Sequence, residues 1–439
     1  MISQTEYARR RKRLMTMMGK NSIAIIASGK EMTRSRDTEF QFRQDSDFHY
    51  LSGFHEPESV IVLVPGRKHG DYIIFNRERD KLKETWNGRR LGQEGVVKEC
   101  KASDAFPIND MDEIIPGLLE NRQRIFYAIG NDKEFDERVL SWMNALRVKM
   151  KGTEPQGEII DIRHFLHDMR LYKSRSEISI MKKAGKISAL AHKRAMQKTR
   201  PGIYEYHIEA ELQHEFARHG ARFPAYNSIV AGGDNGSILH YVENEDKLND
   251  GEMLLVDAGC EYQLYAADIT RTWPINGKFT ANQRIVYDIV LKAQEAAIKT
   301  IKPGAKWTDP HDAALKVLTK GLVDMGILKG RVPTLIKNEA YKPWYMHKTG
   351  HWLGLDVHDV GDYHVGGAPR VLEPGMVMTV EPALYFPLND RKVAKKWRGI
   401  NVRIEDDILV TKDGHENLTS DVPRNPDEIE KLMSEAQVA

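Results

Sequence analysis

The stretch "MHKTGHWLGLDVHD", residues 346–359, sets His347, His351 and His358 close together. Imidazoles grouped in this way can ligate a metal ion or move protons. His347 and His351 have the four-residue spacing of a helical zinc-hydrolase pair, but the glutamate such a motif carries between them is absent. Gly350 and Gly354 would each cost a helix about 1 kcal/mol, so strand or loop is the expected state. The stretch alone leaves open which histidine, if any, meets a metal.

Acids at the ends of apolar runs narrow the chemistry. "EMLLVDAG" ends on Asp257 and "MVMTVEPA" on Glu381, while Asp268 in "YAADITRTW" and Glu405 in "NVRIEDDILV" each follow as a second acid. A single strand acid normally faces solvent. A run apolar on both faces is buried, however, and a buried unpaired carboxylate is costly unless a cation compensates it. Four carboxylates gathered together would raise one another's pKa unless divalent ions neutralised them. Four carboxylates and one imidazole could hold one or two ions. So oxygen-rich a set favours Mn²⁺ over a thiolate-type zinc site, with Co²⁺, Fe²⁺ and Zn²⁺ also compatible. Two ions about 3.5 Å apart would acidify a bridging water and polarise a carbonyl, which is metal-assisted hydrolysis. Strand alternation puts Arg403 on the face of Glu405 and turns Asp406 away, so Arg403 could brace that carboxylate or bind one on a substrate. A glycosidase pair would use two acids and leave His351 and the other two unexplained. The sequence contains neither G-x-S-x-G nor G-x-x-x-x-G-K-[ST], the central motifs of serine hydrolases and P-loop proteins.

The elements that must position these residues fall into two parts. Up to about residue 150, short apolar runs (22–28, 59–65, 72–75 and 124–130) alternate with helical stretches (111–121 and 132–148), the rhythm of an α/β domain. "KGTEPQGE" breaks the pattern within 150–165 and suits a linker. A helix then opens with Ser174 or Ser176 as N-cap and Glu177 in its first turn. From there a unit of helix, Pro-Gly, helix and hairpin occurs twice. Pro201-Gly202 and Pro303-Gly304 mark its joints, and the second long helix spans 280–301. The two hairpins open on a shared Gly-x-x-x-x-Val-acid pattern, Gly251 to Asp257 and Gly375 to Glu381.

A chain of 439 residues exceeds one ordinary core, and its 41% hydrophobic and 29% charged content is that of a globular protein. A net charge of +2 implies neither a nucleic-acid nor a membrane partner. The one basic run, "RRRKR" at 9–13, reads as the solvated part of a helix. Cys100 and Cys260 form no motif, and the N-terminus has no apolar signal core. The expectation is a cytoplasmic enzyme. His207, His214, His219, His364 and His415 read as solvated or packing residues.

Together, Asp257, Asp268, His351, Glu381 and Glu405, with "HWLGLDVHD" and "VEP", resemble the metal-binding signature of the pita-bread metallopeptidases, nearest to their bacterial Xaa-Pro aminopeptidase (aminopeptidase P) branch. The likeness extends to "RQDSDFHYLSGFHEPESV", "GRRLGQ" and "GARFPAYNSIVAGGDNGSILHY". It implies an α/β N-terminal domain over 1–170 and an α+β pita-bread catalytic domain with an internal pseudo-twofold repeat over 171–439. It further implies two divalent metal ions, Mn²⁺ foremost. Asp257 would chelate one, Asp268 and Glu405 would bridge both, and His351 with Glu381 would complete the second. Glu381 would also act as general base. His347 would be an active-site histidine outside the metal shell, His240 and His358 would contact the substrate, and Tyr385 and Arg403 would lie near its proline. Trp86 would reach a neighbouring subunit's site in a homotetramer or homodimer, and Asp37 lies in a similar stretch, "TRSRDTEF". The implied activity removes the first residue from peptides with proline second. Prolidase and a metal-free peptide-binding member are the alternatives. Two departures stand out: Lys348-Thr349-Gly350 replaces a Gly-Leu-Ser-like loop, and Ala383 replaces the usual glycine after Glu-Pro.

Overall fold

The computed structural model describes residues 2–149 and 157–437. Its chain divides into two compact units, Met1–Met169 and Arg170–Ala439. The first seven residues of the expected linker region, 150–156, lie outside the described residues. The rest of that region is ordered differently from the expectation, with a strand at Glu158–Ile160 and a helix from Arg163.

In the first unit the β-branched runs form a mixed sheet. Its strands are β1 (Ser22–Ala27), β2 (Val60–Leu63), β3 (Tyr72–Asn76), β4 (Asp104–Pro107), β5 (Arg124–Phe126) and β6 (Glu158–Ile160), in the order β4-β3-β2-β1-β5-β6. Ile115 and Leu119 from one helix, and Val139, Trp142 and Leu146 from the next, pack with strand residues Ile25, Val62 and Phe75 into its core. The basic run does lie in a helix, α1 (Gln4–Met18), but Arg10 and Arg11 are buried. Arg10 pairs with Glu6 at 2.9 Å and stacks 4.1 Å above the Tyr50 ring. Arg11 donates to the Leu51 carbonyl at 2.7 Å and sits 3.7 Å over Tyr72. Guanidinium groups tolerate such sites because their faces stack on aromatic rings while their edges hydrogen-bond. Charge alone therefore misreads this run.

In the second unit the repeat seen in the sequence is structural. Its first half comprises α2 (Arg175–Lys198), α3 (Glu205–Arg218) and the antiparallel sheet β7 (Ile229–Gly232), β8 (Met253–Asp257) and β11 (Thr270–Pro274), with a small excursion, β9 (Cys260–Tyr262) and β10 (Tyr265–Ala266), between the last two. Its second half comprises α4 (Ala281–Thr300), α5 (Asp309–Asp324) and the sheet β12 (Val377–Val380), β15 (Asp406–Val410) and β16 (His415–Asn417), with the excursion β13 (Ala383–Phe386) and β14 (Ile400–Arg403). Both long helices begin with a capping box, Ser174 with Glu177 and Thr280 with Gln283. The N-cap is thus Ser174. Gly202 and Gly304 at the joints have φ of +93° and +86°, a region that favours glycine, which is why the Pro-Gly punctuation repeats.

An ion pair joins the halves. Arg271 on β11 is fully buried and donates to Asp406 on β15 at 2.7 Å and to the Glu405 carbonyl at 2.5 Å. Asp406 also accepts from Gln294 of α4 at 2.9 Å and Thr419 at 2.8 Å. It points away from Glu405's company, as alternation predicts. Removing one partner leaves the other charge buried without compensation. Arg271→Met is therefore expected to lower the unfolding free energy by about 3–5 kcal/mol, measured as a lowered urea midpoint at unchanged slope.

Candidate metal centre

Each half delivers its two acids from equivalent places. Asp257 ends β8, and Asp268 stands two residues before β11, where the first excursion returns. Glu381 follows β12 directly, and Glu405 immediately precedes β15. Asp257 alone lies within a strand; the other three flank strands. β8 pairs with β11 and β12 with β15, so departing and returning acids are held side by side.

His351 arrives on an extended segment laid along β12, in keeping with the strand or loop expected from its glycines. The Glu381 amide donates to the Thr349 carbonyl at 2.8 Å, Thr379 to the His351 carbonyl at 2.9 Å, and Leu353 to the Val377 carbonyl at 3.1 Å. A Cβ on Gly350 would fall 2.0 Å from the Thr379 carbonyl oxygen, so only glycine permits this approach.

Asp268, His351 and Glu405 each offer a ligand atom within 4.8 Å of the other two. The Nδ1 of His351 meets the Trp352 carbonyl at 2.9 Å and must donate there, which leaves Nε2 facing the acids, 3.4 Å from Asp268 and 3.7 Å from Glu381. A backbone acceptor that fixes the tautomer is the usual support for a metal-ligating imidazole. Tyr226 brings one hydroxyl proton to two carboxylates, Asp257 at 2.6 Å and Asp268 at 2.5 Å. Thr270 donates to Glu405 at 2.5 Å.

The electrostatics are those of excess buried negative charge. Burial first, and the neighbouring acids second, push the Glu405 carboxyl well above its ordinary value. Burial raises Glu381 to about 7 against the opposing charges of His351 and Arg403. Asp257 is raised by burial and by Asp268. Burial would raise Asp268 too, but the His351 hydrogen bond and charge outweigh it and hold the acid low. The same contact carries His351 up to about 9 although burial opposes its charge. A divalent cation among these groups would remove the repulsion and take over the role of the imidazolium, so the residues present fit a metal.

Arg403 differs from the sequence reading. Glu405 lies outside the strand, and the carboxylate that Arg403 meets directly is Asp257, at 2.8 Å. It reaches Glu405 only through Thr270, at 3.2 Å from its Nε. Its other arm donates to the Tyr385 hydroxyl at 2.7 Å, which in turn lies 3.0 Å from the Nε2 of His347. The Nδ1 of His347 is 2.7 Å from the Lys348 carbonyl and donates there, and burial pushes this imidazole down to about 4, which favours its neutral form. His358 stacks edge-on to His351 with ring centroids 4.3 Å apart.

All five candidate ligands, with His240, His347, His358, Tyr385 and Arg403, line one cleft of about 450 Å³. Ile229, Leu239, Val242 and Val357 give it an apolar side. Trp86 and Asp37 are not among its lining residues; both are exposed on the first unit, Trp86 by 81%. Sequence reasoning did not single out Tyr226 or Thr270. Tyr226 lies in "GARFPAYNSIV", but no spacing marks it, because a tyrosine in an extended segment has no pattern of its own.

Comparison with known proteins agrees with this geometry. Residues 179–412 match the family described as metallopeptidase family M24, and residues 7–127 the aminopeptidase P N-terminal domain. The chain is 47% identical to the Xaa-Pro aminopeptidase of Escherichia coli K12 over 99% of both sequences. Its structure superposes on Pseudomonas aeruginosa aminopeptidase PepP with a TM-score of 0.99 at 54% identity, covering 100% of this chain and 99% of that one. It also superposes on a Zn-substituted E. coli aminopeptidase P in complex with product, with a TM-score of 0.96 at 46% identity and 99% of each chain covered. With an aminopeptidase P N-terminal domain ahead of a pita-bread catalytic domain, the chain belongs to metallopeptidase family M24.

Proposed function

We propose that this chain is a metal-dependent aminopeptidase that hydrolyses the bond between an N-terminal residue and a following proline. The observation that carries the reading is the convergence of Asp268, His351 and Glu405, with Asp257 and Glu381 beside them, on one cleft in a chain of this family. Asp257, Asp268, His351, Glu381 and Glu405 would together hold the two divalent ions. The oxygen-rich donor set supports Mn²⁺. When bound, such ions supply Lewis-acid activation of water and of the scissile carbonyl.

The chain's own residues do the rest. Glu381, lining the cleft with the other candidate ligands, would be the proton acceptor. His358 and His240 line the same cleft and would contact the substrate, and His347 would act as a further active-site histidine outside the metal shell. Tyr385 and Arg403 shape the proline side and hold Asp257. Peptides with proline second are thus the partners. Trp86, exposed on the first unit, supports a homo-oligomer, dimer or tetramer, in which it reaches a neighbour's cleft. Two free buried cysteines suit a reducing cytoplasm, and no helix among the described residues is long and apolar enough to cross a membrane.

Prolidase is the second reading, since the same ligand set could serve dipeptides alone. Metal-stripped protein resupplied with Mn²⁺ should cleave an Xaa-Pro-Xaa tripeptide, followed by release of the free first residue. Turnover of the Xaa-Pro dipeptide alone would instead make it a prolidase, and turnover of neither would leave a peptide-binding protein. The histidines are separable by metal analysis. His351→Ala should lose bound metal, whereas His358→Ala should keep it and lose about 10²–10⁴ in kcat. Equal metal loss in both variants would contradict these roles.

A further inference from the structure

The cleft walls carry six formally charged side chains, and five are accounted for. Asp257, Asp268, Glu381 and Glu405 form the candidate metal centre, and Arg403 is committed to Asp257 and Tyr385. The sixth is Lys348. It is exposed, it lines the cleft, and no ion-pair partner for it is found among the described residues.

Its backbone is held on both sides. His347 donates to the Lys348 carbonyl at 2.7 Å. Thr349 is buried, and its hydroxyl lies 2.8 Å from the Nδ1 of His311 and 2.6 Å from the Tyr345 hydroxyl. The Thr349 carbonyl accepts from the Glu381 amide at 2.8 Å. The lysine therefore projects from a fixed point on the loop that also carries His347 and His351. The held backbone fixes where the side chain starts, while its four-carbon stem stays flexible. A cation with no ion-pair partner among the described residues, in a cleft also lined by four acids, is suited to an anionic group on a ligand lying in that cleft.

We propose that Lys348 is a specificity-determining residue that recognises a carboxylate on the substrate, carried by the residue after the proline. This rests on the peptidase reading above. The placement follows from chain order: His347, joined through the Tyr385 hydroxyl to Arg403 in the residues the reading above sets near the proline, directly precedes Lys348. The carboxylate has two sources, the C-terminus of a tripeptide or an acidic side chain in third position. An ammonium is a compact point charge with rotatable donors and accepts either.

The test compares acid with neutral isostere in the Mn²⁺-loaded enzyme, in two arms. The first sets Ala-Pro-Gly against Ala-Pro-Gly-amide. The second sets Ala-Pro-Glu-amide against Ala-Pro-Gln-amide. The wild-type chain is expected to favour the carboxylate in at least one arm by about fivefold in kcat/KM, chiefly through KM, as for a favourable partly exposed ion pair. The preference should shrink as ionic strength rises. Lys348→Met should bring the acid-to-neutral ratio close to one, and Lys348→Arg should retain it. The arm that responds identifies the source. Cleavage of the amides with no carboxylate preference, or a ratio unchanged in Lys348→Met, overturns the role of Lys348 and leaves the peptidase reading standing. Cleavage of none of the four peptides overturns both.

Discussion

Four carboxylates crowded into one buried cleft are the constraint on which the rest of the catalytic unit depends. Burial first, and the neighbouring acids after it, push Glu405 and Glu381 toward the protonated form, while contact with Asp268 and Glu381 favours the charged imidazole of His351 against its burial. Every neighbouring hydrogen bond serves the same end. Tyr226, Thr270 and Arg403 each bring a donor to an acid, and none brings a further acceptor. Buried carboxylates are neutralised by protons, by internal cations such as Arg403 or by a bound ion, and this donor set fits a divalent cation.

The pseudo-twofold repeat is how the chain brings such mutually repelling groups together. Each half builds a rigid two-stranded frame, and the excursion between its strands starts and ends on an acid. Each half supplies two of the four cleft carboxylates. Buried Arg271 and Asp406 lock the frames to each other just behind Glu405, through the Glu405 carbonyl. Stability and site geometry are therefore coupled: the contact that binds the halves also fixes Glu405, a candidate metal ligand.

The three clustered histidines differ in what they touch. His351 gives Nδ1–H to a backbone carbonyl and turns Nε2 to the acids. His347 is drawn into the row through Tyr385 to Arg403, and His358 packs on His351 at the cleft edge. Chemically identical side chains thus sit in different surroundings. The loop that mounts them is held by Thr349 and by a glycine whose Cβ would collide with the opposite strand.

Much of this was legible in the sequence. Apolar runs ending in acids, the doubled Pro-Gly joints and the Gly-to-acid spacing follow from local rules, because strand burial, positive φ and capping act over a few residues. The two-part organisation, the repeat and the five candidate ligands could be read on that basis, with the resemblance to the pita-bread metallopeptidases supplying the choice of His351 over its neighbours. Tertiary structure alone decided what depends on groups far apart in the chain. It turned Arg403 onto Asp257 instead of Glu405, buried Arg10 and Arg11 against Tyr50 and Tyr72, recruited Tyr226 between two acids, and left Lys348 on the cleft wall with no ion-pair partner among the described residues. Periodicity can say which face a side chain occupies. Which partner it meets there is set by packing between distant segments, and no local pattern encodes that.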